Sequence, residues 1–145
     1  MTKKELKEIK RFAAFSSKML DLPEPKISHD VSKKTVKKIS IGWDAGKCTL
    51  FIEEDASFDF NMLSQVAYLL RSVWQINNKK TFDIPDDVLT GREIDAMAFA
   101  WCMMLGCYGL EPVADLPVST VATIMDRMNV IGKMIQKKII YNNVK

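Results

Sequence analysis

Apolar positions recur along this chain with two periods, three to four residues in most stretches and two in one, and the changes of period predict where helices give way to strands. Residues 3–21 read as an amphipathic helix, with Leu6, Ile9, Phe12, Ala13, Met19 and Leu20 on one face. Leu22-Pro23-Glu24-Pro25 ends it, because proline lacks an N–H and restricts the residue before it. Residues 26–36 are polar and read as loop. Lys38-Ile39-Ser40-Ile41-Gly42-Trp43 then alternates, Asp44-Ala45-Gly46 supplies a turn, and Cys48-Thr49-Leu50-Phe51-Ile52 returns, which predicts a β-hairpin. The returning strand is nearly all apolar, so the pattern predicts cover on both faces.

Three helices follow. Over 59–76, Phe60, Leu63, Ala67, Leu70 and Trp74 form one apolar stripe, and Met62, Val66, Leu69, Val73 and Ile76 a second. The remaining strip is polar: Asn61, Ser64, Gln65, Tyr68, Ser72 and Gln75, with Arg71 at its edge. Such a strip suits a helix lining a cleft and equally a core helix with one wet face. Thr90-Gly91-Arg92-Glu93 fits a capping box, Thr90 as N-cap and Glu93 three residues on. The helix it opens, about 91–105, is apolar almost all round, so it is expected at the centre, with Gly106 and Gly109 ending it. A last helix is predicted over 118–141, its inner stripe Val121, Ile124, Met125, Met128, Ile131, Ile135 and Ile139, and its end complemented by Lys137-Lys138. The order helix, hairpin, helix, helix, helix defines an α+β class with a small sheet packed on helices.

Composition narrows the setting. With 145 residues, 48% apolar and 27% charged, the chain suits one globular domain: an N-terminal helix over 1–22, a core over 23–112 and a C-terminal helix over 113–145. The charged N-terminus has no signal-peptide pattern, and the longest nearly uncharged run, Ala96 to Leu110, is too short to span a bilayer; the expectation is a cytoplasmic chain without a membrane partner. Cys48, Cys102 and Cys107 show no C-x-x-C spacing, so buried thiols are expected rather than disulfides or a thiolate metal site. The net charge of +3 conceals a division: +6 over residues 1–50, −7 over 51–117 and +4 over 118–145. An acidic middle between basic ends steers partners, unless these are simply solvated helix faces.

Candidate chemistry is sparse. His29 is the one histidine, and no flanking sequence makes it part of a catalytic pair. No P-loop, G-x-G-x-x-G or G-x-S-x-G occurs. Asp86-Asp87 reads as a solvated acidic pair. The run Lys33-Lys34-Thr35-Val36-Lys37-Lys38, near Trp43, is a candidate basic patch for phosphate contacts, with Lys33, Lys34, Lys37 and Lys38 as its cations.

The stretch Gln65-Val66-Ala67-Tyr68-Leu69-Leu70-Arg71-Ser72-Val73-Trp74-Gln75 resembles the zinc-binding helix of small zincin-like metallopeptidases of Gram-positive bacteria and their mobile elements, approximately A-H-E-L-R-H-A-W-Q. Ala67, Leu70, Arg71, Trp74 and Gln75 match. Glu93-Ile94-Asp95-Ala96-Met97-Ala98-Phe99-Ala100 looks like the family's second helix, E-x-D-A-x-A-F-A, which supplies the third, acidic ligand. The likeness covers about residues 20–112 and implies a minimal zincin-like fold.

The departures fall on the chemistry. H-E-x-x-H needs two imidazoles on zinc and a glutamate as general base. Those positions hold Tyr68, Leu69 and Ser72, and leucine accepts no proton. Glu93 fits the acidic ligand position but also serves the cap, and Asp95 in the first turn suits the helix dipole. The resemblance therefore implies a non-catalytic pseudo-metallopeptidase without cofactor or metal. Its function would be to bind protein, as a phage or mobile-element accessory factor that inhibits or regulates a host or defence protein. Gln65, Tyr68, Ser72 and Gln75 would floor the former groove, or Tyr68 and Ser72 would plug it. The alternative is a basic regulator contacting nucleic acid, directly or through a nucleoprotein partner.

Overall fold

A computed structural model describes residues 1–29, 39–44, 47–53, 55–84, 88–111 and 115–144. The elements run α1 (Lys3–Met19), β1 (Lys26–Ser28), β2 (Ile39–Asp44), β3 (Lys47–Ile52), α2 (Phe60–Asn77), α3 (Gly91–Tyr108) and α4 (Val118–Val144). The α+β class stands: an N-terminal helix, a small mixed sheet, then helices. The basic run 33–38, the turn residues Ala45-Gly46 and Asp86-Asp87 lie outside the described residues.

Local chemistry sets most boundaries. Thr2 caps α1 in a capping box with Glu5, and Asp59 caps α2 by accepting from the Met62 N–H at 2.8 Å. At α3 the box predicted from Thr90 and Glu93 is present: the Glu93 N–H donates to Thr90 Oγ1 at 3.2 Å, and the Thr90 N–H donates to Glu93 Oε1 at 3.1 Å. Two orphan donors are satisfied at once, a contribution of about 1 kcal/mol for a cap of this kind. Gly106 stays inside α3, and Gly109 ends it from the left-handed region at φ 64°, where a Cβ is strained.

The sheet order is β1-β3-β2. The hairpin expected from the alternation forms, with Ile41 opposite Leu50 and Ile39 opposite Ile52. The stretch read as loop contains β1, which pairs parallel to β3 with Ile27 opposite Leu50. His29 closes that edge: its Nδ1 lies 2.9 Å from the Ile52 carbonyl oxygen. A carbonyl only accepts, so this ring nitrogen carries the proton. On β3, Cys48, Leu50 and Ile52 are buried, while Thr49 and Phe51 are half-covered. One face is thus fully covered rather than two.

Helix α3 is central, packed against α2 on one side and α4 on another. Ala96, Ala98 and Ala100 let those neighbours approach, while Ile94, Phe99 and Met103 fill the space between. One continuous apolar cluster joins Phe12 of α1, Leu50 of β3, Leu63 and Leu70 of α2, and Ile124 and Ile131 of α4. The inner stripe of α4 is narrower than its sequence pattern: Ile124 and Ile131 are buried and Met128 half-buried, but Met125 and Ile139 face solvent. The helix also runs past Lys137-Lys138, and Lys138 pairs with Asp21 beyond α1 instead of serving the helix end. Among the described residues, no helix is long and apolar enough to cross a membrane.

Candidate functional site

The positions that correspond to the zinc motif lie on α2 and at the start of α3. Tyr68 is half-buried, and its phenol titrates above the ordinary value because of burial first and the negative charge of Glu93 second. These two positions are therefore close enough to interact across the helix pair. Ser72 is also half-buried, and its Oγ donates to the Tyr68 carbonyl at 3.0 Å, a back-bond within the helix. Leu69 packs against the core, and the Glu93 carboxylate is engaged in the cap described above. A protonated phenol, an alkyl chain, a hydroxyl bonded to its own helix and a capping carboxylate make a poor donor set for a divalent ion. Among the described residues, no group of three histidines, cysteines or acids is placed to hold a metal.

The four positions expected to floor a groove do not share one surface. Gln65 is exposed and borders a hollow of about 250 Å³ with Ile39, Asn61 and Met62, away from Tyr68. Gln75 is buried, and its Nε2 donates to the Arg92 carbonyl at 2.9 Å and to Asp95 Oδ2 at 2.8 Å.

Gln75 belongs to an ionic cluster that joins three helices. Asp95, 0% exposed on α3, accepts from both ends of the α2 guanidinium: Arg71 Nε to Oδ2 at 2.8 Å and Nη2 to Oδ1 at 3.1 Å. Arg127 of α4 donates from Nε to Oδ1 at 2.8 Å. The Arg71 guanidinium also lies over the Trp74 ring, 3.7 Å from its centroid, and Arg127 lies over Phe82 at 5.2 Å. Fork geometry and stacking are the features that make arginine, rather than lysine, suit a buried pair. Two cations share one anion, and the side chain of Arg127, 23% exposed, gives the excess charge access to water.

Burial is the largest influence on Asp95 and pushes its carboxyl up, but the bonds from Arg71, Gln75 and Arg127 together hold it below the ordinary carboxylate range. An unfolded aspartate titrates near pH 4. The cluster's contribution is therefore complete above about pH 4 and is lost as pH falls through the depressed folded value. Thermal melts followed downward from pH 7 are expected to hold their midpoint to about pH 4 on this account and then fall, with the slope reduced in Asp95→Asn. A carboxylate so buried and so engaged does not exchange protons with a substrate. This cluster is a fastener, not an active site.

Sequence reasoning placed Asp95 at the helix dipole and Arg71 at the edge of a polar strip, and so missed the pair. A signal was present: Arg127 interrupts the inner stripe between Ile124 and Ile131, and a cation there needs a buried partner. Of the three thiols expected to be buried, Cys48 is, Cys102 is half-buried and Cys107 is exposed at the end of α3. Desolvation raises Cys48 and Cys107 above the ordinary thiol value and takes Cys102, which donates to the Met128 carbonyl at 3.5 Å, to about 11.

Comparison with known proteins yields no match, whether to a family model, a curated protein or a solved structure.

Proposed function

We propose that this chain is a non-catalytic protein-interaction module, a pseudo-metallopeptidase built on a helix pair like that of small zincin-like enzymes. One observation carries the reading. At the positions where that chemistry needs two imidazoles and a base, the chain has Tyr68, Ser72 and Leu69, and the polar groups there are engaged with their own backbone or held protonated. The raised thiols support it too, since the thiolate is the nucleophilic form of cysteine. The family likeness supports an accessory role in a phage or other mobile element, inhibiting or regulating a host or defence protein; that step is analogy of motif, not geometry.

The test combines turnover and assembly. Purified chain is incubated with a mixed peptide library, with and without added zinc, and separately cross-linked in its host; captured proteins are then purified and mixed with it. No cleavage and a stable reconstituted complex are expected. Zinc-dependent cleavage would overturn the reading.

The metallopeptidase likeness has its own test. The triple variant Tyr68→His, Leu69→Glu, Ser72→His is expected to take up one zinc per chain, read by metal analysis of the purified protein. A folded triple variant that takes up no zinc would count against the likeness.

A further inference from the structure

The chain contains two long stretches without any lysine, arginine or histidine: the 23 residues from Cys48 to Leu70, and the 34 residues from Glu93 to Asp126. The fold brings them together where the first turn of α2 meets the last turns of α3. Two hollows open there on either side of Asn61. One, of about 350 Å³, lies between Phe60, Ser64, Trp101, Met104 and Leu110, with Glu111 on its rim. The other, of about 250 Å³, is floored by Ile39, Ala56 and Met62 and rimmed by Asp59 and Gln65.

The apolar lining is not fully withdrawn from water. Phe60 is 51% exposed although its ring also packs on Tyr108, over the buried Trp101 and Met104; Leu105, next along α3 but not in the lining, is also 45% exposed. Glu53 and Asp55 precede the second hollow along the chain, and Asp115 follows Glu111 beyond the first. Arg11, beyond Tyr108, has its charge answered by Glu8. Ile39, on the floor of the smaller hollow, belongs to neither stretch and follows the run Lys33 to Lys38, which lies outside the described residues. The part of the surface that the two stretches themselves build is apolar, rimmed by Asp59 and Glu111 and given no cation by them, and so selects its partner by charge.

We propose that the paired hollows around Asn61 receive a protein segment in which lysine or arginine alternates with aliphatic residues. The aliphatic side chains enter beside Trp101 and Met104, and the cations meet Asp59 and Glu111. The half-exposed ring of Phe60 adds a cation–π surface for an arginine or lysine head. Asn61, Ser64 and Gln65 offer amide and hydroxyl groups to the backbone of the incoming segment. This inference rests on the reading of the chain as an interaction module and names the chemistry of the partner.

The test uses the full chain, isotopically labelled, titrated with a synthetic leucine–lysine amphipathic peptide and with its leucine–glutamate counterpart. The lysine peptide is expected to produce saturable shifts at the Trp101 indole N–H and the Met104 methyl, weakening with salt. Ser64→Arg, which narrows the larger hollow and reverses its field, is expected to weaken binding about tenfold or more, a change equivalent to 1.4 kcal/mol. Glu111→Lys, on the exposed rim, is the second variant and is expected to act in the same direction with the fold intact. No binding of the lysine peptide would overturn the inference. So would equal binding of the glutamate peptide, or shifts that avoid Trp101 and persist in both variants. Such failures leave the module reading standing on another face if the reconstituted complex still forms, whereas zinc-dependent cleavage removes the module reading itself.

Discussion

Replacing Asp95 by alanine is expected to lower folding stability by about 3–5 kcal/mol, because it leaves buried cations without their anion. Domains of this size hold only about 5–15 kcal/mol in total, so the variant should be marginal at ambient temperature. The midpoint of urea unfolding is the measurement, and unchanged stability would mean that Arg71 and Arg127 reach water without Asp95. The asymmetry of the cluster can be tested in the same way. The triple change Arg71→Met, Asp95→Leu, Arg127→Met removes all three charges together and is expected to restore most of what Asp95→Ala loses. Buried ion pairs are worth little beyond an apolar set of similar volume, yet breaking one side of them is costly. Asp95→Asn should fall between, since its amide still accepts from one arginine but places an N–H against the other.

Phe99→Ala is expected to cost about 3–5 kcal/mol, the range for deleting a buried aromatic ring. Phe99 is buried on α3, the helix that both α2 and α4 lean on, so the space it leaves is bordered on several sides and cannot easily collapse. The Arg71 guanidinium lies 5.6 Å from the centroid of its ring, so the change also loosens the ionic cluster. Combined with Asp95→Ala, its effect is expected to fall short of the sum, because both act on Arg71. Phe99→Leu, which retains most of the volume, should cost distinctly less. Urea midpoints of the two singles and the double give the coupling directly.

The helices were legible because each has both a period and a punctuation mark. Thr90 and Glu93 announce α3 three residues apart, and Leu63, Leu70 and Trp74 repeat at helical spacing along α2. The hairpin was legible from the alternation of Ile39, Ile41 and Trp43. Strand β1 was not: Lys26-Ile27-Ser28 is too short to show a period, and it is a strand only because Thr49, Leu50 and Phe51 lie beside it. Propensity sees neighbours in sequence, and this pairing is made with residues far along the chain. The breadth of α4 misled for a related reason. Met125 and Ile139 are apolar yet face solvent, and periodicity does not report how far a partner's cover extends.

The candidate site divides along the same line. That Tyr68, Leu69 and Ser72 lack zinc chemistry follows from residue type alone. What those residues do instead depends on distances. Gln75 continues the polar strip of Tyr68 and Ser72 in sequence, yet its amide turns inward to Arg92 and Asp95. Gln65 turns to a different hollow from the one expected of it. A polar residue on a helix announces that it needs a partner, not which one.

The strand order carries a consequence for how the chain assembles. Strand β3 lies in the middle of the sheet but is synthesised last of the three, so β1 has no edge to join until residues 47–52 have left the ribosome. The β2–β3 hairpin closes over a short loop and can form early, while the parallel contact must bring Lys26 to Thr49 at a higher entropic cost. Attachment of β1 is therefore the later of the two pairings that complete the sheet, and it joins α1 to the hairpin.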